Sequence, residues 1–502
     1  MKLKFYAVPL LISALFFINC SQRPAPAYPE RRMISPHNIR ELHSRIDQLI
    51  NQPRFQPAHF GIYIMEPQTG GIIYSRNAHD LFMPASNMKL ITTAATLDIL
   101  GEDYTYETRL YTDGKIENGI LKGDLWIKGS GDPTISGRYY DGQIEHIFQS
   151  WTDSLKKLGI NKIEGRIIGD DNIFSDQGLG SGWEHNDLSY YYAAKTGGLS
   201  YNDNCMDLYF TPGDSLGAPA KIVQKPIPDY MKIKNELTTV HPDSQQYIDF
   251  HRYANSDSVR VFGSITIDSD TIVDWVTIND PTNFSLTGFK KCLKDADIEY
   301  GQIVDIDELE DEEARYDSMQ IILSHSSVKM DTIVHTLNKV SQNFYAETLQ
   351  KTLGAEIKNK GTNQAGIEVE NEWFEDIGID PDGIFIRDGS GLSRHNLVSP
   401  FQIATILQTM KNSPAYESYL KSLPVGGIDG TLKNRFEGYN VSGHVHAKTG
   451  YVGHVRALSG YVTAKTGKEY IFSILVNHYP TPTSCINDLQ DRIVALLYNL
   501  EY

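Results

Sequence analysis

A serine followed three residues later by a lysine occurs four times in this chain, and this spacing can build a nucleophile and its base. On a helix, residues three apart lie on one face about one turn from each other. If that turn is buried, desolvation lowers the pKa of the lysine, and a neutral amine can then deprotonate the serine. The four pairs are Ser86–Lys89, Ser154–Lys157, Ser326–Lys329 and Ser418–Lys421.

The residues around each pair favour Ser86. It stands near the start of the segment DLFMPASNMKLITTAATLDILG, in which Pro84 and Ala85 introduce a strongly apolar, and therefore buried, predicted helix that Gly101 ends. Amides at such a helix N-terminus can stabilise an oxyanion. The simpler alternative is a serine N-cap beside an exposed lysine. Ser154 is predicted in an amphipathic helix whose end is solvated. Ser326 is predicted in a polar loop, and Ser418 at the end of a helix.

A Ser-x-Asn motif can add a hydroxyl for proton relay and an amide for binding a substrate backbone. It occurs at Ser200–Asn202 and at Ser341–Asn343. The second copy falls between a predicted helix ending in TLNKV and one beginning with FYAETLQ, on a turn that could face a cleft. The sequence therefore favours Ser341.

The tetrapeptide AKTG occurs three times, and it suits a strand that binds a substrate carboxylate. Lysine provides a cation, threonine a hydroxyl and glycine a close backbone approach. Lys195 precedes Ser200 by five residues, too few for the two to lie on opposite walls of one cleft. Lys465 falls in a predicted hairpin turn between two strands. The copy at Lys448–Gly450 follows the strand VSGHVHA and can lie along a strand.

The elements that must position these residues lie at the two ends of the chain. Residues Asn38–Gln52 predict a helix, and FGIYIMEPQTGGIIYSRNA predicts two strands around a Gly-Gly turn. Near the C-terminus, three adjacent strands are predicted from VSGHVHAKTG, HVRALSGYVTA and EYIFSILVNH, and a closing helix from Asn487–Leu500. Together they predict one α/β domain, an antiparallel sheet with flanking helices, interrupted by a long insertion.

The residues between these two parts differ in composition, with short alternating strands, turns, polar stretches and an acidic run at 305–317. They predict a long β-rich insertion made of two subdomains. The predicted domains are 37–102 for the first part of the catalytic domain, 103–320 for the insertion and 321–502 for the second part.

The first 36 residues are predicted to lie outside the fold. Lys2 and Lys4 precede the apolar segment Phe5–Ile18, which is too short to span a bilayer as a stable helix. Residues 1–20 are similar to a bacterial lipoprotein signal ending at Cys20, although Asn19 replaces the usual small residue, and 21–36 predict a Pro-rich tether. A plain secretory signal is the alternative. Both predict export to the periplasm, and a lipidated Cys20 would anchor the protein to the membrane.

Charge and cysteine content exclude some classes of function. The formal net charge is −17, from 63 acidic and 46 basic residues without a basic run, which disfavours nucleic acid as a partner. Cys205, Cys292 and Cys485 are scattered, without a CxxC spacing or a nearby histidine pair, which disfavours a zinc site. Their disulfide state stays open. We expect no metal and no cofactor.

Several stretches resemble one family, the class C penicillin-binding proteins of the D-alanyl-D-alanine carboxypeptidase/endopeptidase type. The similar stretches are MPASNMKL, LKGDLWIKGSGDPT, GWEHNDLSYYY, NKVSQNFYAETL, RDGSGLSRHNLVSP and HAKTG followed by VRALSGYV. The resemblance extends over nearly all the chain after the tether. It implies a penicillin-recognising serine transpeptidase/β-lactamase-like domain with a long insertion after the Ser-x-x-Lys helix.

The resemblance also implies roles for the first two motifs. Ser86 would be the nucleophile, acylated by the penultimate D-Ala carbonyl of a peptidoglycan stem peptide as the terminal D-Ala leaves. Lys89 would be the base, Ser341 would relay a proton to the leaving amine, and Asn343 would bind the peptide backbone and orient Lys89. β-Lactam antibiotics would act as covalent inhibitors.

For the third motif, the resemblance implies binding of the substrate carboxylate by Lys448 and Thr449, with Gly450 beside the substrate. The backbone amides of Ser86 and Tyr451 would form the oxyanion hole.

The chain departs from the family pattern at two positions. Gln342 stands where Asp is common, and Tyr451 replaces a smaller residue, so its ring could alter how a carboxylate or β-lactam is bound. DGSGLS, Asp388–Ser393, predicts a tight turn under the site. Two rival functions are a β-lactamase or esterase on the same scaffold and an inactive peptidoglycan-binding lipoprotein. The intact motifs argue against the second.

Overall fold

The computed structural model describes residues 36–253, 255–309 and 314–502. The predicted signal segment, Cys20 and all but the last residue of the tether lie outside the described residues. The helices are α1 Ile39–Ile50, α2 Met88–Leu100, α3 His146–Lys157, α4 Pro281–Asp295, α5 Met330–Val340, α6 Asn343–Lys358, α7 Asn363–Asp376, α8 Pro400–Asn412, α9 Tyr416–Ser422 and α10 Thr483–Tyr498.

The strands are β1 His59–Met65, β2 Ile72–Arg76, β3 Glu107–Thr112, β4 Lys115–Glu117, β5 Ile120–Lys122, β6 Leu125–Lys128, β7 Lys162–Ile163, β8 Ile167–Asp170, β9 Cys205–Thr211, β10 Lys221–Lys225, β11 Lys232–Val240, β12 Tyr247–Arg252, β13 Ser258–Thr266, β14 Ile272–Thr277, β15 Glu299–Tyr300, β16 Ile303–Asp305, β17 Gln320–Ser326, β18 Val445–Val452, β19 Val455–Thr463 and β20 Glu469–Asn477.

The two terminal parts of the chain share a five-stranded antiparallel sheet with the strand order β18-β19-β20-β1-β2. The hairpin predicted near the N-terminus and the three strands predicted near the C-terminus are confirmed. Strand β1 is next to last in the sheet, and it pairs with β20 from the far end of the chain, with Phe60 opposite Val476. The two terminal parts of the sequence therefore form one sheet.

Helices cover both faces of this sheet. Alternation of side chains along β1 places Ile62 and Ile64 in one apolar core with α1 and α10, and Tyr63 and Met65 in another with α2 and α8. The fold class predicted from the sequence, an antiparallel sheet with flanking helices, is confirmed.

Helix α2 lies inside the domain, as its apolar sequence predicts. Every residue from Met88 to Leu97 is buried. A 3-10 turn, Ala85–Asn87, leads into the helix, and Gly101 ends it with a φ of 85°, a backbone conformation that favours glycine. The helix is thus a fixed, water-excluding support for the residues at its start.

Strands β3 to β17 lie outside the central sheet, in sheets ordered β10-β9-β14, β11-β13-β12, β15-β7-β5-β4 and β16-β8-β6-β3-β17, together with α3 and α4. Strand β17 pairs with β3 as far as Ser326, opposite Glu107. Residues 103–320, called the insertion below, thus pair through β3 with residues on the far side of the boundary predicted at residue 320. The loop predicted around Ser326 is wrong, because this residue ends a strand.

Two further observations concern the whole of the described chain. Cys205, Cys292 and Cys485 are free thiols. No helix among the described residues is both long enough and apolar enough to cross a membrane.

Candidate active site

Ser86 and Lys89 come together where the 3-10 turn runs into α2. Lys89 Nζ lies 3.1 Å from Ser86 Oγ. The lysine side chain is completely buried, whereas Ser86 is partly exposed. A substrate can therefore approach the hydroxyl while the amine remains shielded from water.

Two other acceptors surround the Lys89 amine. Nζ donates to Asn343 Oδ1 at 2.6 Å and to the Ser390 carbonyl at 2.7 Å. A neutral amine has two N–H bonds and one lone pair. With both N–H bonds directed at these oxygens, the lone pair is left facing the Ser86 hydroxyl. This is the geometry that a general base requires.

The electrostatics of the pocket also favour a neutral amine. Burial lowers the pKa of Lys89 to about 7, although the charges of Asp388 and Glu347 act in the opposite direction and raise it. A lysine with a pKa this low is substantially unprotonated at neutral pH. Desolvation is the dominant cause.

The backbone around Ser86 is tightly confined. Ala85 has a φ of 47°, in the left-handed region that non-glycine residues rarely adopt. A Cβ added to Gly391 would lie 1.9 Å from the Ala85 carbonyl oxygen, and one added to Gly450 would lie 2.6 Å from the Pro84 carbonyl oxygen. Both glycines allow neighbouring chain segments to approach the nucleophile closely.

Ser341 and Lys448 form a second serine–lysine pair. Ser341 has a φ of 60° at the junction of α5 and α6, and Lys448 lies on β18, buried. Lys448 Nζ donates to Ser341 Oγ at 2.8 Å and to the Thr449 carbonyl at 3.0 Å. Burial, together with the charges of Lys89 and Arg456, holds the pKa of Lys448 well below its usual value.

A hydrogen bond joins the two pairs. Asn87 Nδ2 donates to the Lys448 carbonyl at 2.9 Å, so the residue after Ser86 is tied to the strand that carries Lys448. Asn343, two residues after Ser341, also contacts the first pair: its Oδ1 accepts from Lys89, while its Nδ2 donates to the Tyr192 carbonyl at 2.7 Å. The structure thus brings together Ser86, Lys89, Ser341, Asn343 and Lys448.

The remaining predicted residues of this strand lie beside the pair. Thr449 is buried, and its hydroxyl contacts the Thr431 hydroxyl at 2.8 Å. Tyr451 is exposed, and the Arg456 guanidinium lies 5.3 Å from the centroid of its ring. This cation–π contact holds the ring that replaces the smaller residue of the family pattern.

The other Ser-x-x-Lys serines have different partners. The Ser154 hydroxyl donates to the Ser150 carbonyl at 2.8 Å, and the Ser418 hydroxyl donates to Glu102. Ser326 is exposed at the end of β17. None of these contacts places a buried lysine beside the hydroxyl.

The other AKTG copies are also separate from Ser86. Lys195 donates to the Asn279 carbonyl at 2.9 Å, and Ser200 donates to the Gly197 carbonyl at 3.1 Å, both within the insertion. Lys465 is exposed in the turn between β19 and β20.

Sequence reasoning missed the buried carboxyl groups that lie near the Lys89 amine and the carbonyl that accepts its hydrogen bond. Asp388 and Glu347 are buried, and Glu347 Oε1 accepts from the Ser390 amide at 2.8 Å. The sequence predicts a turn at Asp388–Ser393, but a carbonyl that binds Lys89 has no residue-type signature. One available signal was the position of Glu347, one helical turn after Asn343.

One acidic group in the described chain could hold a cation. Asp171, Asp305 and Asp307 each offer an oxygen within 4.8 Å of one another. These residues lie in the insertion and contribute no side chain to the Ser86 site.

A sheet flanked by helices that carries these two serine–lysine pairs defines a serine enzyme of the penicillin-recognising class. Residues 42–500 match the model of the D-Ala-D-Ala carboxypeptidase 3 (S13) family, and the chain belongs to this family. It is therefore a serine-type D-Ala-D-Ala carboxypeptidase.

Curated relatives agree with this assignment. A D-alanyl-D-alanine carboxypeptidase of Actinomadura sp. (strain R39) is 29% identical over 482 residues, which cover 94% of this chain and 87% of the relative. Penicillin-sensitive carboxypeptidase A of Dictyostelium discoideum is 30% identical over 461 residues, covering 85% and 83%. Among solved structures, penicillin binding protein 4 from Haemophilus influenzae shares the fold, with a TM-score of 0.78 and 22% identity over 93% of this chain and 100% of that one.

Proposed function

We propose that Ser86 is the nucleophile that attacks the penultimate D-Ala carbonyl of peptidoglycan stem peptides, with Lys89 as its base. The distance of 3.1 Å between Lys89 Nζ and Ser86 Oγ, in a pocket that keeps the lysine buried, is the observation that supports this role most strongly. A serine hydroxyl needs such a base because it is a weak nucleophile at neutral pH.

The proton can be followed through the first half of the reaction. Ser86 Oγ bonds to the carbonyl carbon while its proton moves to Lys89 Nζ. The bond to the terminal D-Ala then breaks, and the leaving amine takes a proton from Ser341, whose oxygen accepts a hydrogen bond from Lys448 Nζ. The proton that Lys89 took from Ser86 passes on to the Ser341 oxygen, so Lys89 is again a neutral amine and Ser341 again a hydroxyl before the second half begins. An ester of Ser86 remains, and free D-Ala is released.

The second half regenerates the enzyme. Water attacks the ester carbon, Lys89 accepts a proton from the water, and Ser86 recovers a proton as its oxygen leaves. The backbone amides of Ser86 and Tyr451 would stabilise the oxyanion in both halves. The close approach of Gly450 to the Ser86 amide, 3.2 Å from an added Cβ, supports this placement.

Substrate binding is assigned to β18 and to Asn343. Lys448, Thr449 and Gly450 would receive the terminal carboxylate, and Asn343 would contact the peptide backbone. In a cross-link, the scissile bond is similar but the leaving group is a whole stem, so endopeptidase action would use the same serine.

Labelling with benzylpenicillin tests this assignment. We expect mass spectrometry of the digested protein to find one covalent adduct, on Ser86, which persists for minutes and is absent from the Ser86→Ala variant. The unmodified protein should also release D-Ala from a synthetic peptide ending in D-Ala-D-Ala, and Ser86→Ala should not. An adduct on Ser154, Ser326 or Ser418 would contradict the assignment, and an adduct cleared within seconds would indicate a β-lactamase.

We further infer that the protein is exported and anchored through a lipid on Cys20. The apolar segment Phe5–Ile18 followed by Cys20 and a Pro-rich stretch supports this inference. In a Gram-negative host, the protein should incorporate labelled palmitate and sediment with membranes, and Cys20→Ser should abolish both. Labelling of Cys20→Ser equal to that of the original protein would refute lipidation at this residue.

A further inference from the structure

Two contacts from the insertion reach residues that support the two acceptors of the Lys89 amine. Trp183 and Tyr192 both belong to the insertion. Trp183 Nε1 donates to Asp388 Oδ2 at 2.8 Å, and the Tyr192 carbonyl accepts from Asn343 Nδ2 at 2.7 Å. Asn343 is itself an acceptor of Lys89, and Asp388 is one peptide unit away from the other acceptor, the Ser390 carbonyl.

We propose that this insertion segment positions the general base, with Trp183 acting through Asp388 and the Ser390–Gly391 peptide, and the Tyr192 carbonyl acting through Asn343. The inference rests on the proposed role of Lys89. It assigns to the insertion a part in the reaction, although no side chain among its described residues hydrogen-bonds to Lys89 Nζ. Trp183 and Asp388 are accordingly positioning residues.

The first path runs through a single peptide unit. Asp388 Oδ1 accepts from the Gly391 amide at 2.8 Å, and the carbonyl of the same peptide, that of Ser390, accepts from Lys89 Nζ at 2.7 Å. A carboxylate on the N–H side polarises the peptide and makes its oxygen a stronger acceptor. Because the peptide is planar, it cannot turn away from Asp388 and keep its orientation toward Lys89.

Trp183 fixes the other oxygen of the same carboxylate. Asp388 Oδ2 accepts from Trp183 Nε1 and, at 2.6 Å, from the Ser393 amide. Asp388 is completely buried, so water cannot replace a lost donor. Without the indole N–H, the carboxylate keeps its charge but loses one of the contacts that set its orientation.

The second path sets the orientation of an amide. Asn343 can offer either its oxygen or its NH₂ group to Lys89, and only the oxygen accepts from an amine N–H. The Tyr192 carbonyl accepts from the NH₂ group and therefore favours the orientation with Oδ1 toward Lys89. Both acceptors of the amine thus depend on the inserted segment.

The charged groups that face Lys89 determine how a variant should titrate. Asp388 and Glu347 raise the pKa of Lys89, and burial lowers it, while Lys448 is a neighbouring amine whose pKa Lys89 itself lowers. Removing the Asp388 charge therefore favours the neutral amine at lower pH. Removing the Trp183 donor leaves all of these charges in place.

Trp183→Phe and Asp388→Asn test the proposal through the rate of acylation by benzylpenicillin as a function of pH. Trp183→Phe should lower the rate about fivefold at every pH, the size expected for one lost hydrogen bond, without moving the acid limb of the profile. Asp388→Asn should lower the plateau and move the acid limb to lower pH. If these residues had only a structural role, the substitutions would change the melting temperature. They would change neither the plateau rate of acylation nor the pH of the acid limb.

Trp151→Phe is the matched control, because Trp151 is buried in the insertion and its Nε1 has no hydrogen-bond partner among the described residues. Its acylation rate should equal that of the unmodified protein. If Asp388→Asn does not fold, Trp183→Phe decides alone. Acylation of Trp183→Phe at the unmodified rate would overturn the inference and leave the proposed function intact. An unmodified protein that forms no Ser86 adduct would overturn both.

Discussion

Replacing Lys89 by glutamine is expected to slow the acylation of Ser86 by about a thousandfold, since general-base catalysis commonly contributes about 10²–10⁴-fold. Glutamine can still donate N–H bonds to Asn343 Oδ1 and the Ser390 carbonyl, so the buried acceptors need not lose both partners. Its amide cannot take the Ser86 proton. The rate constant for acylation by benzylpenicillin measures the loss directly.

The same experiment on the unmodified protein gives the pH dependence. Since burial brings the pKa of Lys89 to about 7, the amine is protonated below this pH and cannot act as a base. The acylation rate should therefore rise as the pH increases through about 7 and then reach a plateau. The residual rate of Lys89→Gln should lack this step. If the step remained, another group would be the base.

Lys351→Gln is a matched control for loss of a buried lysine. Lys351 is also completely buried, burial lowers its pKa to about 8, and its Nζ donates to the carbonyls of Ser175 and Gln177. This variant should change stability and leave the acylation rate close to that of the unmodified protein. A thousandfold loss here as well would show that buried charge, and not base catalysis, explains the result.

Replacing Gly391 by alanine is expected to reduce acylation by about a hundredfold, the order of loss that a displacement of about 1 Å can cause at a reacting centre. The new Cβ would lie 1.9 Å from the Ala85 carbonyl oxygen and 3.1 Å from the Ser86 amide nitrogen. Either the segment that carries Ser86 or the turn that carries Ser390 must move. The melting temperature should fall together with the acylation rate.

Gly378→Ala separates this collision from the strain of a positive φ. Gly378 has a φ of +79° and Gly391 of +84°, but an added Cβ at Gly378 meets nothing within 4 Å. Gly378→Ala should lower the melting temperature and leave acylation unchanged. Equal acylation rates in the two variants would contradict the proposed effect of crowding at Ser86.

Much of this site could be predicted from sequence because its chemistry depends on side chains within regular elements. Ser86 and Lys89 are one helical turn apart, and a buried apolar helix distinguishes them from the three other pairs. The sequence also predicts Ser341 and Lys448 as site residues, because they follow Ser86 in this order and strands are predicted around Lys448. The apolar composition of the segment predicts that the helix is buried, and burial is what lowers the pKa of Lys89.

The rest could not be predicted, because it consists of backbone groups and long-range contacts. The carbonyls of Ser390 and Tyr192 act through atoms that every residue possesses, so no residue type marks them. The left-handed φ of Ala85 is imposed by its surroundings, since alanine has no preference for it. The strand that includes Ser326 was missed because its pairing partner, β3, lies more than two hundred residues earlier in the chain.

The pairing of β1 with β20 has a consequence for how the enzyme is made. Synthesis delivers β1 and its hairpin partner β2 early, but the other edge of β1 stays unpaired until β20 exists. The insertion has an apolar core of its own and lies entirely between them, so it can fold while the sheet is still incomplete. Lys448 and β18 also arrive late. A growing chain therefore carries Ser86 long before it carries the strand that completes the candidate site, and we expect it to stay inactive until synthesis is nearly finished.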